Sequence, residues 1–356
     1  MTGILLIQLG TPDKPTYAGL FPYLRQFLSD PRVIEVPRLI WLPLLYLRIL
    51  PFRSGASAAK YRRIWDEKTG SPLLHYTQRQ TQLLQEYFPH HPVRFGMIVG
   101  QPSVRQVVRE MVDAGVERLI VMPMFPQYSA TSFASATDAL FRALMQLRRV
   151  PAVRVVPPYY DHPAYLEALA ATIRDDLAQL PWEPEHFVIS YHGIPQKYAQ
   201  RGDPYATHVV RTTRALVKRM GWPRTQWTQT YQSRFGRAAW LKPYTDDVLE
   251  QLAKKGVKRV YVALPGFTAD CLETIDEIGH ESREVFEQAG GEHLKNGTCL
   301  NDHPQWIAAM ARILREEGHG WLTDSAPGQV AVPLTATSAT VGLSQGNTAV
   351  AECKRL

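Results

Sequence analysis

Cysteine is scarce: the 356 residues hold three, Cys271, Cys299 and Cys353. None sits in a CxxC pair, so neither a disulfide framework nor a zinc ribbon is signalled. Three thiolates also fall short of the four that a Cys-ligated iron–sulfur cluster needs, and no such cluster is expected. The pattern suits a reducing cytoplasm. Long apolar runs are missing as well. The most apolar stretch, residues 39–52 (LIWLPLLYLRILPF), carries Pro43, Arg48 and Pro51 and is too short to span a bilayer. Composition favours a core helix there; the other reading is an exposed lip against a membrane or a flat ligand. The opening run GILLI at residues 3–7 has no basic region before it and no cleavage site, so it reads as a strand and not as a signal peptide. The net charge is +7, yet Lys and Arg are scattered, which argues against nucleic acid. An anionic small molecule or an anionic membrane surface fits that balance.

What is present is an alternation of short apolar runs with longer amphipathic ones. The length suits two domains, and 45% hydrophobic residues suffice for their cores. Strands are expected at residues 4–9, 93–99, 118–123 and 152–156, and again at 187–191, 225–231 and 259–264. Helices are expected at 103–115, 131–149, 163–180, 205–220 and 245–256. This order predicts parallel sheets with crossover helices. An internal echo divides the chain. DAGVERLIVMP at residues 113–123 and KKGVKRVYVALP at 254–265 each end a helix, enter a strand and stop at Pro. Two similar doubly wound α/β lobes of the Rossmann or flavodoxin-like kind are expected, at 1–158 and 159–322. The loops after their strands should face a cleft between them. From Thr323 the chain turns Ala/Ser/Thr/Gly-rich with almost no charge, and residues 323–356 read as a flexible extension.

Four segments carry candidate chemistry. The strand at 187–191 runs into His192-Gly193-Ile194-Pro195, where Gly and Pro force a turn and present an imidazole. A neutral imidazole takes a proton or binds a metal; a hydrogen-bonded turn His is the alternative. After the strand at 259–264, Thr268 or Asp270 would cap a helix on which Glu273, Glu277 and Glu281 recur at i, i+4 and i+8, along one face. Arg283 is the only basic residue between Asp270 and Glu287. Such a row reads as a path for cations or protons, or else as a solvated surface helix. MPMFPQYSATS at 122–132, with Tyr128 and the following Phe133, offers aromatic faces for a flat ligand, or simply packing. In the fourth, Arg63 would pair with a ligand carboxylate or lie on an exposed helix face.

Together these segments resemble the ferrochelatase family. The matching stretches are LLIQLGTPD at 5–13, GSPL at 70–73, MPMFPQYSATS at 122–132 and SYHGIP at 190–195. YQSRFG with WLKPYTD follows between 231 and 246, then PGFTADCLETIDEI at 265–278. The resemblance implies chelatase-like lobes enclosing a porphyrin cleft, with Fe²⁺ and protoporphyrin IX as substrates and no permanently bound cofactor. It implies that His192 and Glu273 face each other across the porphyrin as catalytic and metal-contacting groups. Glu277 and Glu281 would continue as a conduit, and Arg63, Ser71, Tyr128 and Phe133 would contact the ring or its substituents. Three departures stand out. Ile98-Val99 occupies the place of an Arg-Tyr pair found in many members, removing a carboxylate contact. Cys271 replaces a His found in some. Leu9 stands where members acting on coproporphyrin often carry Tyr, which leans toward protoporphyrin. The rival readings are a cobalt or nickel chelatase of another tetrapyrrole, and a two-lobed porphyrin or haem carrier without chemistry. The expected setting is the cytoplasm, with residues 39–52 as a peripheral contact with the inner face of the cell membrane.

Overall fold

The computed structural model describes residues 1–236 and 238–322. The extension expected at 323–356 lies outside the described residues. Eight strands form two sheets. Strands β1 (Thr2–Gly10), β2 (Val93–Val99), β3 (Arg118–Pro123) and β4 (Ala152–Val155) pair in the order β2-β1-β3-β4. Strands β5 (His186–His192), β6 (Trp227–Gln232), β7 (Arg259–Ala263) and β8 (His293–Asn296) repeat the pattern as β6-β5-β7-β8. Every pairing is parallel, so each strand must be followed by a crossover.

Helices α1 (Tyr17–Leu28), α2 (Arg38–Leu44), α3 (Leu50–Ile64) and α4 (Pro72–Tyr87) fill the first crossover. The next three, α5 (Val104–Asp113), α6 (Ser135–Leu144) and α7 (Pro163–Gln179), follow β2, β3 and β4. Helices α8 (Gln196–Gln200) and α9 (Tyr205–Met220) link β5 to β6. Then α10 (Thr245–Lys254) and α11 (Arg283–Gln288) follow β6 and β7, and α12 (Pro304–Glu317) comes last. Three segments are π-helical: Leu45–Ile49, Ala130–Ala134 and Glu273–Ser282.

The strands form where the chain is apolar on both faces. Ile4, Leu5, Leu6 and Ile7 are all fully buried. Alternation sends Ile4 and Leu6 into one core, with Leu5 and Ile7 packing under α5 and α6 on the other side. Helix α5 matches its sequence pattern: Ser103 caps it by accepting from the Gln106 amide at 3.2 Å, and Val104, Val107, Val108, Met111 and Val112 are buried. Other boundaries shift. The helix expected over 131–149 begins as a π turn capped by Ser129 and stops at Leu144. The strand expected from 225 starts at Trp227, because a 3₁₀ turn over Arg224–Gln226 follows Pro223.

The last helix of each half crosses to the other. Helix α7 buries its apolar face with Phe187 and Tyr261 of the second sheet, and the Tyr261 hydroxyl donates to Asp176 at 2.8 Å. Helix α12 lies on α4 and β3 of the first sheet, and Arg154 donates to the Glu317 carbonyl at 3.0 Å. Both helices open with Asp-His-Pro, at 161–163 and 302–304. His162 caps α7 through Nδ1 and donates from Nε2 to Glu316 of α12 at 2.9 Å. His303 caps α12 in the same way and donates to Asp175 of α7 at 3.0 Å.

Residues 39–52 are not core. Leu39 is 92% exposed, Leu47 79% and Phe52 74%; Ile40, Leu44 and Tyr46 are exposed too. Leu45 and Leu50 are buried with side chains of α1 and α3, and Trp41, Leu42 and Ile49 pack against them half-buried. The stretch forms a lip of α2, a π turn and the start of α3. Among the described residues no helix is long and apolar enough to cross a membrane.

Candidate active site

The carboxyl ends of β1, β3, β5, β6 and β7 open on one cleft of about 940 Å³. Ligands of open parallel sheets sit at such strand ends. Gly10 closes β1 there at φ +111°, and a Cβ would collide with the Val99 carbonyl, so only glycine fits.

His192 is the last residue of β5 and is part of the cleft wall. Its Nδ1 lies 2.7 Å from the Gly193 carbonyl oxygen. A carbonyl only accepts, so Nδ1 carries the proton and Nε2 keeps its lone pair. The next residue must be small: a Cβ on Gly193 would stand 3.0 Å from the Gln232 carbonyl and 3.2 Å from the Trp240 ring. Sequence reasoning placed this imidazole at a strand end, and the fold keeps it there.

The acidic row lies on the segment Glu273–Ser282, which is π-helical and not α-helical. The i→i+5 ladder is rare and often marks functional sites. Neither Thr268 nor Asp270 caps it. Thr268 donates to the Met124 carbonyl at 3.1 Å, and Asp270 is held by Asn301 and accepts from the Thr274 hydroxyl. Glu273 and Glu277 are half-buried on the cleft wall. The Glu273 carboxylate acts on first-lobe aromatics: burial first, then its charge, pushes up the Tyr23 hydroxyl, and burial, then Tyr23, then Glu273 push up that of Tyr61. Burial first and Glu273 second likewise push up the Cys271 thiol.

Glu277 accepts from the Ser233 amide at 2.6 Å and the Ser233 hydroxyl at 2.5 Å, with Gln232 Nε2 at 3.4 Å. Ser233 holds φ 66°, a left-handed conformation that costs energy and aims both of its donors at one carboxylate. Gln232 also donates to the Glu273 carbonyl at 2.8 Å and accepts from Ser190 at 2.8 Å. This Gln232–Ser233 hub was missed as a site from sequence. The YQSRFG segment was its only signal, and uncharged residues say little until a fold surrounds them.

The row is also less bare than the sequence suggested. Helix α3 brings Arg63 to Asp276 in a two-point ion pair of 2.5 and 2.8 Å, and Asp276 is fully buried. Lys60 donates to Glu281 at 2.7 Å, with Arg63 3.5 Å from the same carboxylate. The relieving cations come from another lobe, so counting neighbours in the chain could not find them. Arg63 is therefore committed to protein carboxylates and is absent from the cleft wall. Arg53, ten residues earlier on α3, lines it instead.

Ser71 is on the wall, buried, and accepts from Thr11 at 2.8 Å. Tyr128 and Phe133 are not. Their rings pack on each other at 5.5 Å, and Phe133 is buried. The loop that carries Tyr128 ties the lobes together: its amide donates to His208 at 3.1 Å, and Ser129 and Ala130 donate to Asp203 at 2.9 and 2.8 Å. Among the described residues no three His, Cys, Asp or Glu side chains converge as a preformed metal site.

Two parallel sheets of one strand order, joined at a cleft with an imidazole and carboxylates on its walls, define a two-lobed chelatase architecture. The fold is similar to that of SirB from Bacillus subtilis solved with Fe³⁺, at TM-score 0.50 and 17% identity over 71% of this chain and 93% of that one. It is similar also to the sirohydrochlorin chelatase SirB of subspecies spizizenii in complex with cobalt, at TM-score 0.50 and 13% identity over 89% and 94%. The family model for ferrochelatase matches residues 1–318. A ferrochelatase of Mesorhizobium japonicum is 47% identical over 90% of this chain and 92% of its own. One from Rhizobium meliloti is 44% identical over 90% and 96%. The chain belongs to the ferrochelatase family. Its reaction is the lyase step that inserts Fe²⁺ into protoporphyrin in haem synthesis.

Proposed function

We propose that insertion takes place between a first lobe of residues 1–158 and a second of 159–322, with His192 accepting the pyrrole protons. The observation that carries this is the Nδ1–H bond to Gly193, which leaves the Nε2 lone pair unused on the cleft wall. Metal insertion requires two N–H protons to leave the macrocycle as Fe²⁺ enters and sheds water. A neutral imidazole is suited to take one proton at a time, and the same lone pair is a good ligand for Fe²⁺. Glu273 is the anionic partner on the other side of the ring. Its half-buried carboxylate attracts the cation and stabilises charge that changes as protons depart. Glu277, beside it, passes protons or metal onward, and Glu281 ends the row under the hold of Lys60. Ser71 supplies a hydroxyl to the porphyrin edge. Iron is a passing substrate, and the chain needs no permanently bound cofactor. The apolar lip at 39–52 rests on the inner membrane surface, where a hydrophobic porphyrin is delivered.

The test is anaerobic mixing of protein, Fe²⁺ and protoporphyrin, followed by absorbance. His192→Ala should bind porphyrin with little change and chelate at least about 100-fold more slowly, the usual scale of a lost general base. Near-normal turnover in that variant removes His192 from the reaction.

A further inference from the structure

The imidazole and the first carboxylate of the cleft stand on different elements. His192 ends β5, and Glu273 opens the π-helical segment that follows β7. We propose that Gln232 is a positioning residue for iron insertion: its main chain holds the peptide that orients the His192 imidazole, and its side-chain amide holds the backbone of Glu273. This rests on His192 and Glu273 being the reacting groups.

Gln232 is the last residue of β6 and stands opposite His192 in the parallel register. Its carbonyl accepts from the Gly193 amide at 2.8 Å. The carbonyl oxygen of the same Gly193 is the acceptor for His192 Nδ1. The tautomer of the imidazole therefore depends on a residue that Gln232 keeps in place. The side chain reaches the other way. Its Nε2 donates to the Glu273 carbonyl at 2.8 Å and lies 3.4 Å from the Glu277 carboxylate. Its Oε1 accepts from the Ser190 hydroxyl at 2.8 Å. Both ends of the amide are thus satisfied.

What fixes the amide this way round lies behind it. The Thr245 hydroxyl is 2.9 Å from that of Ser190 and 3.0 Å from that of Thr230. All three residues are fully buried, and Gln232 nearly so. Buried hydroxyls have no water to turn to and must bond to each other and to the amide oxygen. With the oxygen held there, the NH₂ group can face only the π-helix. Turning it over would leave several buried polar groups unpaired at once. Ser233, the next residue, acts on the Glu277 carboxylate alone. Gln232 acts on the place where the acidic segment begins. A shift of reacting groups by about 1 Å costs on the order of 100-fold in rate.

The test measures iron insertion and porphyrin binding in Gln232→Leu, Gln232→Glu and His192→Ala, with binding followed by quenching of tryptophan fluorescence. Gln232→Leu should lower kcat about 10- to 100-fold, the scale of misplaced groups. Its Kd for protoporphyrin should stay within about twofold, as for an interaction that acts on the reaction and not on binding. Gln232→Glu keeps the side-chain shape and carries the test if the apolar variant does not fold. Its carboxyl would be buried beside Glu277, which raises its pKa. Once protonated it offers one O–H donor and one acceptor oxygen, as the amide does. The ratio of its kcat to the wild-type value should therefore climb toward one as pH falls from about 8.5 to about 6. A residue needed only for folding would show no such recovery. A kcat for Gln232→Leu within about twofold of wild type, a ratio for Gln232→Glu that stays low in acid, or a loss of porphyrin binding that matches the loss of rate overturns the proposal. Near-normal insertion by His192→Ala overturns the reading of the centre on which it rests. Slow insertion by that variant beside a normal Gln232→Leu removes Gln232 alone.

Discussion

Glu277 has two donors from Ser233 and a nearby His192, all of which favour its charged form, yet burial outweighs them and its carboxyl lies above the ordinary 4.5, with Glu273 adding to the rise. A carboxyl raised in the fold contributes stability that is complete below 4.5 and is lost as pH climbs through the folded value. Near neutrality the ionised group therefore works against the fold. Glu277→Gln should remove that penalty: at pH 7 the variant should unfold at higher urea than wild type, with the difference shrinking toward pH 4. Its chelation rate should fall about 100-fold if Glu277 relays protons. A variant less stable than wild type at pH 7 would mean that the Ser233 bonds dominate and that the burial argument is wrong. This opposition of stability and activity is what a functional group held against its preference produces.

At the level of elements, the sequence disclosed most of the strands and pointed to His192, Glu273, Glu277 and Glu281, which the fold brings to one cleft wall. Continuous apolar runs ending in Pro or Gly marked β1, β3, β5 and β7, since parallel strands buried on both faces leave that trace. Strand β8 was invisible: HLKN is short, polar and at a sheet edge. The acidic row was visible as spacing, but i, i+4 suits an α- and a π-ladder alike, and what chooses between them is contact with distant residues. Arg63 was read from sequence as a ligand contact, because only the packed axis of α3 tells which of its faces meets the cleft. The paired Asp-His-Pro caps lie far apart in the chain, and their relation emerges from the antiparallel packing of α7 on α12. Each imidazole must be neutral at Nδ1 to accept the helix amide, while its Nε2–H ties the other helix. Glu316 is held below its ordinary 4.5, by His162 first and Arg312 next, so its contribution is present above 4.5 and fades as pH falls through the folded value. The carboxylates are exposed, which keeps each pair weak, and the cap is the larger part. His162→Ala and His303→Ala should each cost about 1 kcal/mol. Because they sit at opposite ends of the pair, the double variant should lose their sum to within about 0.5 kcal/mol. A double variant as stable as wild type in urea would reduce these contacts to ornament.

For the molecule as a whole, the asymmetry lies at the lip. The two sheets share one strand order, yet only the β1–β2 crossover holds four helices, and of its exposed apolar side chains Phe52 lines a small cavity that shares Trp41 and Phe235 with the cleft. Leaving Leu39, Ile40, Leu47 and Phe52 in water forgoes about 2 kcal/mol for each side chain that burial would return. Residues 36–65 contain no Asp or Glu; Lys60 and Arg63 among them are held by Glu281 and Asp276, which leaves Arg38, Arg48, Arg53 and Arg62 without an ion-pair partner among the described residues. Near an anionic bilayer each basic residue close to the surface adds about 1 kcal/mol. Under the proposed membrane contact, apolar insertion and charge attraction would act together, as on a surface that lies in an interface and does not cross it. The wild-type protein should therefore sediment with vesicles containing anionic lipid and only weakly with neutral ones. High salt should release part of it, since screening removes the charge attraction and leaves the apolar one. Leu47→Glu combined with Ile40→Glu should abolish binding even at low salt while leaving iron insertion in detergent solution within about twofold, because surface substitutions away from the site alter the fold little. Sedimentation that is equal for both proteins, or absent in the wild type at low salt, would leave the lip exposed for some other reason and detach it from porphyrin delivery.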